Sequence, residues 1–436
     1  MELEEHLFRR EAGRIVATLT RIFGVHNLTL AEDVMQDAFC QALEVWKFRG
    51  VPENPSAWLM TTAKNRALDV LRRERTARTF APEVGRLLES ERTLAPGVEE
   101  LFHARAIKDD LLRMMFSCCH PRLTEHAQVA LVLHILCGFS VDEIASAFVS
   151  GHAAIQKRIT RGKKVLAGTK KLFDVSGADF PARLPAVHRA LYLLFNEGYH
   201  GASPESAVRV ELCHEAMRLV RLLMEHSLSA TPATHALAAL MCFDAARLPS
   251  RVNFSGKLSS LFGQDRSRWD ATLIAEGQML LDLSAKGLEL TEYHVEAAIA
   301  CVHSMAHRIE DTDWRTIVSL YDTLMTMRQS PVVALNRAIA IGQRDGPERG
   351  LEEIRTIGRG DRLASYPFYH AALGEFELRS GRLEIAREHF RTAQAFARNC
   401  MERQFLESRI HACKGGAPLE PADRHDHRTV EADSLQ

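Results

Sequence analysis

An all-α protein is the fold class that this sequence predicts, and three observations carry the prediction. Apolar residues recur three and four positions apart along nearly the whole chain. Runs that alternate apolar and polar are scarce. Pairs with capping chemistry, such as Ser140 and Glu143, stand at the heads of periodic segments. The breaks in the pattern predict two small helical domains, the second a helix-turn-helix, and then a large helical-repeat solenoid. A chain of 436 residues with 46% hydrophobic and 25% charged residues can build several ordinary cores. The formal net charge of -1 points to no polyanion partner by itself, so any such partner must be read from local asymmetry. Nine cysteines, an odd number in a long chain, do not make a disulfide framework and predict a reducing cytosol. The charged start "MELEEHLFRREAGR" reads as no signal peptide, and no apolar run approaches the ~18 residues needed to span a bilayer.

The first domain is expected over residues 1–78. "LTLAEDVMQDAFCQALEVWKF" (28–48) reads as a helix opened by a Thr29/Glu32 capping box. Val34, Ala38, Ala42 and Val45 form its core stripe, and Glu32, Asp33, Gln36 and Asp37 an acidic polar patch. "NPSAWLMTTAKNRALDVLRRERT" (54–76) reads as the next helix, started by Pro55 and Ser56. Leu59, Ala63, Ala67 and Val70 share its apolar stripe, and Thr62, Asn65, Asp69, Arg72 and Arg73 lie opposite. Asn65, Asp69 and Arg72 stack at i, i+4, i+7, and Lys64, Arg66, Arg75 and Arg78 make the segment basic. A solvated face is the plain reading of such a helix. Short hydrogen-bonding side chains among arginines also suit a face that reads bases and grips phosphates. An acidic helix beside a basic one cannot also hold DNA, so its patch is either solvated or meets a basic protein partner.

Pro82 and Pro96 among charged residues predict a linker, set at 79–106. The second domain is expected over 107–173. Its first part carries Cys118, Cys119, His120, His126, His134 and Cys137, but adjacent Cys-Cys-His lacks the spacing of zinc sites, and buried packing is the expectation. "SVDEIASAFVSGHAAIQKRITRGKKVLAGTKK" (140–171) reads as the helix-turn-helix. Ile144 and Phe148 are apolar in its first helix, "VSG" makes the turn, and Ile155, Ile159, Gly162 and Leu166 point inward from the second. In such a motif the start of the second helix enters the major groove. His152, Ala153, Gln156, Lys157 and Thr160 are then base-proximal, with Arg161, Lys163 and Lys164 on phosphates.

"AEDVMQDAFCQALEVW" followed by "NPSAWLMTTAKNRALDVLRRE" resembles domain two of extracytoplasmic-function (ECF) sigma factors, the promoter-recognition subunits of bacterial RNA polymerase. The order of this domain, a linker and a helix-turn-helix matches that family as well. The resemblance implies that Glu32, Asp33, Gln36 and Asp37 contact the polymerase core. Thr62, Asn65, Arg66, Asp69, Arg72 and Arg73 would bind the −10 element, with Asn65 helping to hold a flipped-out base. The helix-turn-helix would be domain four, bound to the −35 element. Implied partners are the polymerase core, through the β′ clamp and the β flap, and promoter DNA. Gly151 and His152 depart from the usual family pattern. "DDLLRMMFSCCHPRL" (109–123) resembles one ECF subgroup that carries a long C-terminal extension.

A boundary is expected over 174–185, the extension over 185–413 and a disordered tail over 414–436. "ALGEFELRSGRLEIAREHFRTAQAFAR" (372–398) fits a tetratricopeptide pattern through Leu373, Gly374, Gly381, Ala386, Phe390 and Ala393. "ALNRAIAIGQRDGPERGLEEI" repeats it more loosely, with Gly346 opposite Gly381. "FNEGY", "QDRSRWD", "YHVEAAIACVHSMA" and "SPVVALNRAIAI" resemble that subgroup's extension. Such solenoids bind proteins, so a protein partner for the extension is expected. Asn196, Glu197, His200, Asp265 and Trp269 are of catalytic kinds, but no nucleophile–base pair or ligand spacing joins them. Neither an enzyme, a cofactor nor a metal is expected. A stand-alone helix-turn-helix regulator with a sensing solenoid, and a repeat scaffold, are the alternatives. The extension either covers "AAIQKRITRGKK" as an inhibitor or docks elsewhere as a support, and support is the expectation.

Overall fold

The computed structural model describes residues 2–24, 27–77, 104–147, 150–168, 179–201, 207–253, 257–357 and 363–415. Most of the expected linker, Phe148 and the tail from 416 onward lie outside these residues. The fold is all-α: among the described residues there is no strand, only one antiparallel bridge between Val252 and Leu258. The chain divides into two compact units, residues 1–203, 209–241 and 282–289 in the first and 204–208, 242–281 and 290–436 in the second.

The first unit is organised around α1 (Glu2–Phe23). Ala12, Ile15, Val16, Ala17, Leu19 and Phe23 are buried, and so are Glu11, Thr18 and Thr20. Thr18 and Thr20 donate their hydroxyls to the carbonyls of Arg14 and Val16 at 3.0 and 2.7 Å, which lets polar residues sit inside a core helix. Both α2 (Leu28–Arg49) and α3 (Pro55–Ala77) pack on α1. So do α4 (Ala104–Cys118) and a π-helical turn, Val132–Leu136, that continues α5 (Glu125–Leu131). A Cβ on Gly13 would lie 2.1 Å from the Leu136 carbonyl oxygen, so only glycine allows this approach. In the π turn the Cys137 N–H reaches back five residues to the Val132 carbonyl at 3.2 Å.

Two local expectations change. The capping box at Thr29 and Glu32 does not form. The chain leaves α1 through Gly24 at φ 83°, Asn27 N–H bonds the Gly24 carbonyl, and α2 starts at Leu28. Thr29 is thus already in the first turn. In α3, Asn54 is the cap, its Oδ1 accepting from Ala57 N–H at 3.0 Å, while Ser56 donates to buried Glu11 at 3.0 Å. The Ser140/Glu143 box does form, at 2.8 and 3.2 Å.

Next come α6 (Val141–Ala147) and α7 (His152–Ala167), built on buried Ile144, Ile155, Ile159 and Leu166. Gly162 packs its backbone on Leu131, where a Cβ would meet the side chain at 2.7 Å. Residues 179–185, expected as a boundary, are instead the first turns of α8 (Asp179–Tyr199). Pro181 and Pro185 are exposed there, in the first two turns of the helix, and Pro185 provides no N–H for an i→i−4 bond. Helix α4 likewise starts inside the expected linker, at Ala104.

The extension is also not one body. Helix α8 packs on α4 and α5, and α9 (Val210–Met224) on α8 and α4. The Arg209 guanidinium stands 5.7 Å from the Phe139 ring centroid. Arg218 grips Glu215 with two hydrogen bonds, at 2.8 and 2.6 Å, beside the Cys137 thiol. Burial of Val187, Leu191, Leu194, Leu212 and Leu219 assigns these helices to the first unit, and the boundary falls inside α10 (Pro232–Ala246).

The second unit runs from the end of α10 through α11 (Leu248–Arg251), α12 (Ala271–Ser284, of which residues 282–284 count with the first unit), α13 (Glu292–Met305) and α14 (Trp314–Met327) to two helix hairpins and a closing helix. The hairpins are α15 (Pro331–Asp345) with α16 (Pro347–Thr356), and α17 (Pro367–Arg379) with α18 (Leu383–Ala395). Helix α19 (Cys400–Gly415) follows. Gly346 and Gly381 turn the two hairpins at φ 102° and 76°, positions that favour glycine. The Phe376 ring fills the space left by Gly342 and Gly350, where a Cβ would meet it at 2.3 and 2.7 Å.

His188 on α8 is buried, with Nε2 2.8 Å from Thr234 Oγ1. Burial pulls its pKa from 6.5 to about 4. The unfolded chain therefore holds more protons than the folded one between pH 6.5 and about 4. Its contribution to stability is complete above that window and falls as pH drops through it, by roughly 3 kcal/mol at the acid limit. Urea unfolding at a series of pH values should show this loss, and His188→Gln should flatten it.

Candidate nucleic-acid and polymerase interface

On α2 the apolar stripe is buried at Val34, Ala38, Ala42 and Trp46, with Val45 only half-buried. Opposite it Asp33, Gln36 and Asp37 are exposed. Glu32 departs from that group. Its side chain is only 13% exposed, and Oε2 accepts from Lys163 Nζ at 2.7 Å. On α3, Leu59, Ala63 and Ala67 are buried and Asn65, Arg66, Asp69 and Arg73 exposed, while Thr62 and Val70 are half-buried. The Arg72 side chain lies outside the described residues. The α3 polar face thus offers amide, carboxylate and guanidinium groups to solvent within three turns, a set suited to base edges and phosphates.

Helix α7 is amphipathic in the same sense. Ile155, Ile159, Gly162 and Leu166 are buried, and His152, Ala153, Gln156, Lys157, Thr160, Arg161 and Lys164 exposed. His152 Nδ1 lies 2.5 Å from Asp142 Oδ1, which ties the start of α7 to the first turn of α6. Five cationic side chains lie in this helix, with Lys157, Arg161 and Lys164 exposed, so its solvent face is basic, and no acidic residue occurs in α7 itself.

Lys163 is the exception, as Glu32 is on α2. It sits 22% exposed between Glu32 and His134. His134 Nδ1 is 2.9 Å from the Phe139 carbonyl, an acceptor only, so Nδ1 carries the proton. Nε2 then accepts from Lys163 Nζ at 3.1 Å. Burial, aided by the Lys163 charge, lowers the His134 pKa and keeps the ring neutral. A second ion pair lies along the same seam: Arg21 Nε stands 2.7 Å from an oxygen of Asp110, itself 2% exposed. The structure therefore brings together one residue from each of two separately predicted surfaces. Arg21, Asp110 and Gly13 were not legible as functional. His134 lay in the cysteine- and histidine-rich stretch, but only its packing was expected.

Of that stretch the cysteines and His120 pack as expected, whereas His134 is half-buried and His126 is exposed. Cys118, Cys119 and Cys137 are buried, and burial pushes the Cys119 thiol up to about 12 and the other two well above their usual value. In the second unit, Asp265 caps a turn by accepting from Ser267 N–H at 3.0 Å. Arg266 donates to the carbonyls of His303 and Ala306, both at 2.8 Å, and lies over the buried Trp269 ring. Asp265 and Trp269 thereby take structural parts in this loop.

Comparison with known proteins gives these surfaces a context. Residues 7–77 match the family described as Sigma-70 region 2. Residues 183–285 match a family of unknown function, DUF6596. An uncharacterized protein of Rhizobium meliloti (strain 1021) is 36% identical over 398 residues, 91% of this chain and 92% of its own length. The RNA polymerase sigma factor CarQ of Myxococcus xanthus is 32% identical over 169 residues, 37% of this chain and 86% of its own length. No solved structure matches. No helix among the described residues is long and apolar enough to cross a membrane. With a region 2 fold at its start and a long helical extension behind it, the chain belongs to the RNA polymerase sigma factor family.

Proposed function

We infer that the chain is a sigma factor of the ECF type, working in the cytoplasm, that joins the polymerase core and starts transcription from promoters with particular −35 and −10 elements. The observation that carries this is the outward set of polar faces on one chain. Asp33, Gln36 and Asp37 on α2 offer an acidic docking face, Asn65, Arg66, Asp69 and Arg73 on α3 a −10 face, and the basic side of α7 a −35 face. A stand-alone helix-turn-helix regulator has no need of the first. The β′ clamp is the partner for α2, and the β flap and −35 duplex are the partners of the helix-turn-helix domain. The hairpins α15–α16 and α17–α18 support a tetratricopeptide-like reading of the extension, with a protein partner on its surface. No catalytic role is assigned.

Asp33→Arg or Asp37→Arg should leave the circular dichroism unchanged and cut co-purification with core polymerase about tenfold or more, because like charge replaces attraction at the docking face. Undiminished recovery of core with both variants would refute the docking assignment.

Gln156→Ala should change the ranking of −35 sequences in a binding assay, by about 1–3 kcal/mol at the base it reads. Lys164→Ala should weaken every sequence alike and reduce the salt slope by about 1. Equal losses on all sequences from both variants would show that the base and phosphate roles are misassigned.

Helices α8 and α9 brace α4 and α5. Ending the chain after Lys171 should therefore lower run-off transcription at least about tenfold, since it uncovers the buried apolar face they share. A truncated protein that is folded and more active than full length would reverse the supporting role.

A further inference from the structure

We propose that the second unit carries an oxyanion site between the 264–270 loop and the end of α13, and that its ligand is a small phosphate or phosphate monoester. The residues of the site all belong to that unit, so the inference goes beyond the promoter reading and does not depend on it. The stretch "QDRSRWD" (264–270), to which the promoter reading gives no task, supplies its centre.

Two hydrogen-bonding groups there are buried and have no partner among the described residues. Trp269 is 6% exposed, and its indole Nε1 makes no hydrogen bond. His303 on α13 is 8% exposed, and its Nδ1 makes none either. Buried polar groups are normally paired, so two such atoms in one place call for an explanation. An indole N–H can only donate, so what answers it must be an acceptor. The His303 ring packs edge-to-face on the Trp314 ring, centroids 5.3 Å apart, which limits its rotation.

Cations surround the same two groups. The guanidinium carbons of Arg247 and Arg266 stand 5.5 and 4.9 Å from the Trp269 ring centroid. One indole ring thus serves two cations and answers only part of their charge. Arg266 spends three of its five N–H groups, on the His303 and Ala306 carbonyls and on Thr312 Oγ1, and keeps two. Burial and the charges of Arg247 and Arg266 together hold His303 near pKa 3, so its ring is neutral and can place its one proton on Nδ1. Arg251, 6% exposed, and Arg247 both act on the Asp244 carboxylate, which lies 3.3 Å from Arg247 Nη1. Two other acids, Glu310 and Asp311, act on Arg266 from exposed positions, where water and salt screen them. Three guanidinium groups therefore share one inner carboxylate, and donors exceed acceptors. A ligand rich in negative oxygens corrects both imbalances. A phosphate monoester offers three strong acceptor oxygens, enough for the indole, the imidazole and the remaining Arg266 donors together. A carboxylate offers two oxygens in one plane.

The test uses the full chain labelled with nitrogen-15 tryptophan, whose four tryptophans give four indole N–H signals. Inorganic phosphate and glycerol 2-phosphate, each titrated at constant ionic strength, should shift the Trp269 signal with a Kd of about 1 mM or below, and acetate should bind at least about tenfold more weakly. Trp269→Phe keeps an aromatic ring for both arginines and removes only the N–H. It should identify the signal by its loss and weaken phosphate binding at least about tenfold in calorimetry, the usual worth of a hydrogen bond to a charged group. If that variant does not fold, Trp46→Phe, Trp58→Phe and Trp314→Phe identify the signal by elimination, and the wild-type titration decides. A Trp269 signal that neither phosphate probe moves overturns the proposal. So does a folded Trp269→Phe chain that binds phosphate as tightly as wild type. Shifts confined to Trp46 or Trp58 place the binding elsewhere and overturn it too. An equal response to acetate overturns the choice of phosphate.

Discussion

The approach of α1 to the π turn at Gly13 is the constraint on which the first unit depends. A carbonyl oxygen occupies the place where a Cβ would stand, so the two backbones are as close as helices come. That closeness is possible because the 132–136 segment is wound wide, with a five-residue hydrogen bond at its end. With α1 fixed there, its apolar residues are enclosed by α2, α3 and α4, and the polar ones must be satisfied internally. Glu11, 1% exposed, shows how: Arg14 and Ser56 both donate to its carboxylate. A buried carboxylate without such donors would cost several kcal/mol.

The same requirement explains why the first helices of the extension belong with the first unit. The Cys137 thiol, at the end of the π turn, meets the Glu215 carboxylate, which Arg218 holds in a fork. A charged pair of this kind is tolerable in a half-buried place only when its hydrogen bonds are complete. Helix α9 supplies both charges, so it completes the core around α4 and the π turn rather than starting a separate body. The DUF6596 match, which begins at residue 183 within α8, therefore starts inside the first unit and continues into the second.

In the second unit the limiting quantity is space. Phe376 and Phe390 are buried large rings, and each sits where a glycine on a facing helix has no side chain. Repeating that device in successive hairpins gives a regular stack without strain. Arg266 plays the complementary part at the other end, closing the carbonyls at the end of α13 that a helix leaves unbonded. His303 beside it is buried and held near pKa 3 by burial and two arginines, so it remains neutral at physiological pH.

The sequence by itself determined the helices and their faces. Ile155, Ile159, Gly162 and Leu166 turned inward and Gln156, Lys157 and Lys164 outward, and Asp33 and Asn65 stood exposed, because a 3.6-residue period fixes the faces of a helix locally. The resemblance of 28–74 to a known domain was readable for the same reason. Only the tertiary structure decided which faces meet. Glu32 looked like one more member of an acidic patch, and Lys163 like one more basic contact, until packing set them 2.7 Å apart. The charged start of α1 concealed a helix that is buried from Glu11 to Thr20 apart from Arg14, and 185–413 read as one extension although its first helices pack on α4. Pairing between distant helices follows from close packing summed over the whole chain. No spacing within a single helix encodes it.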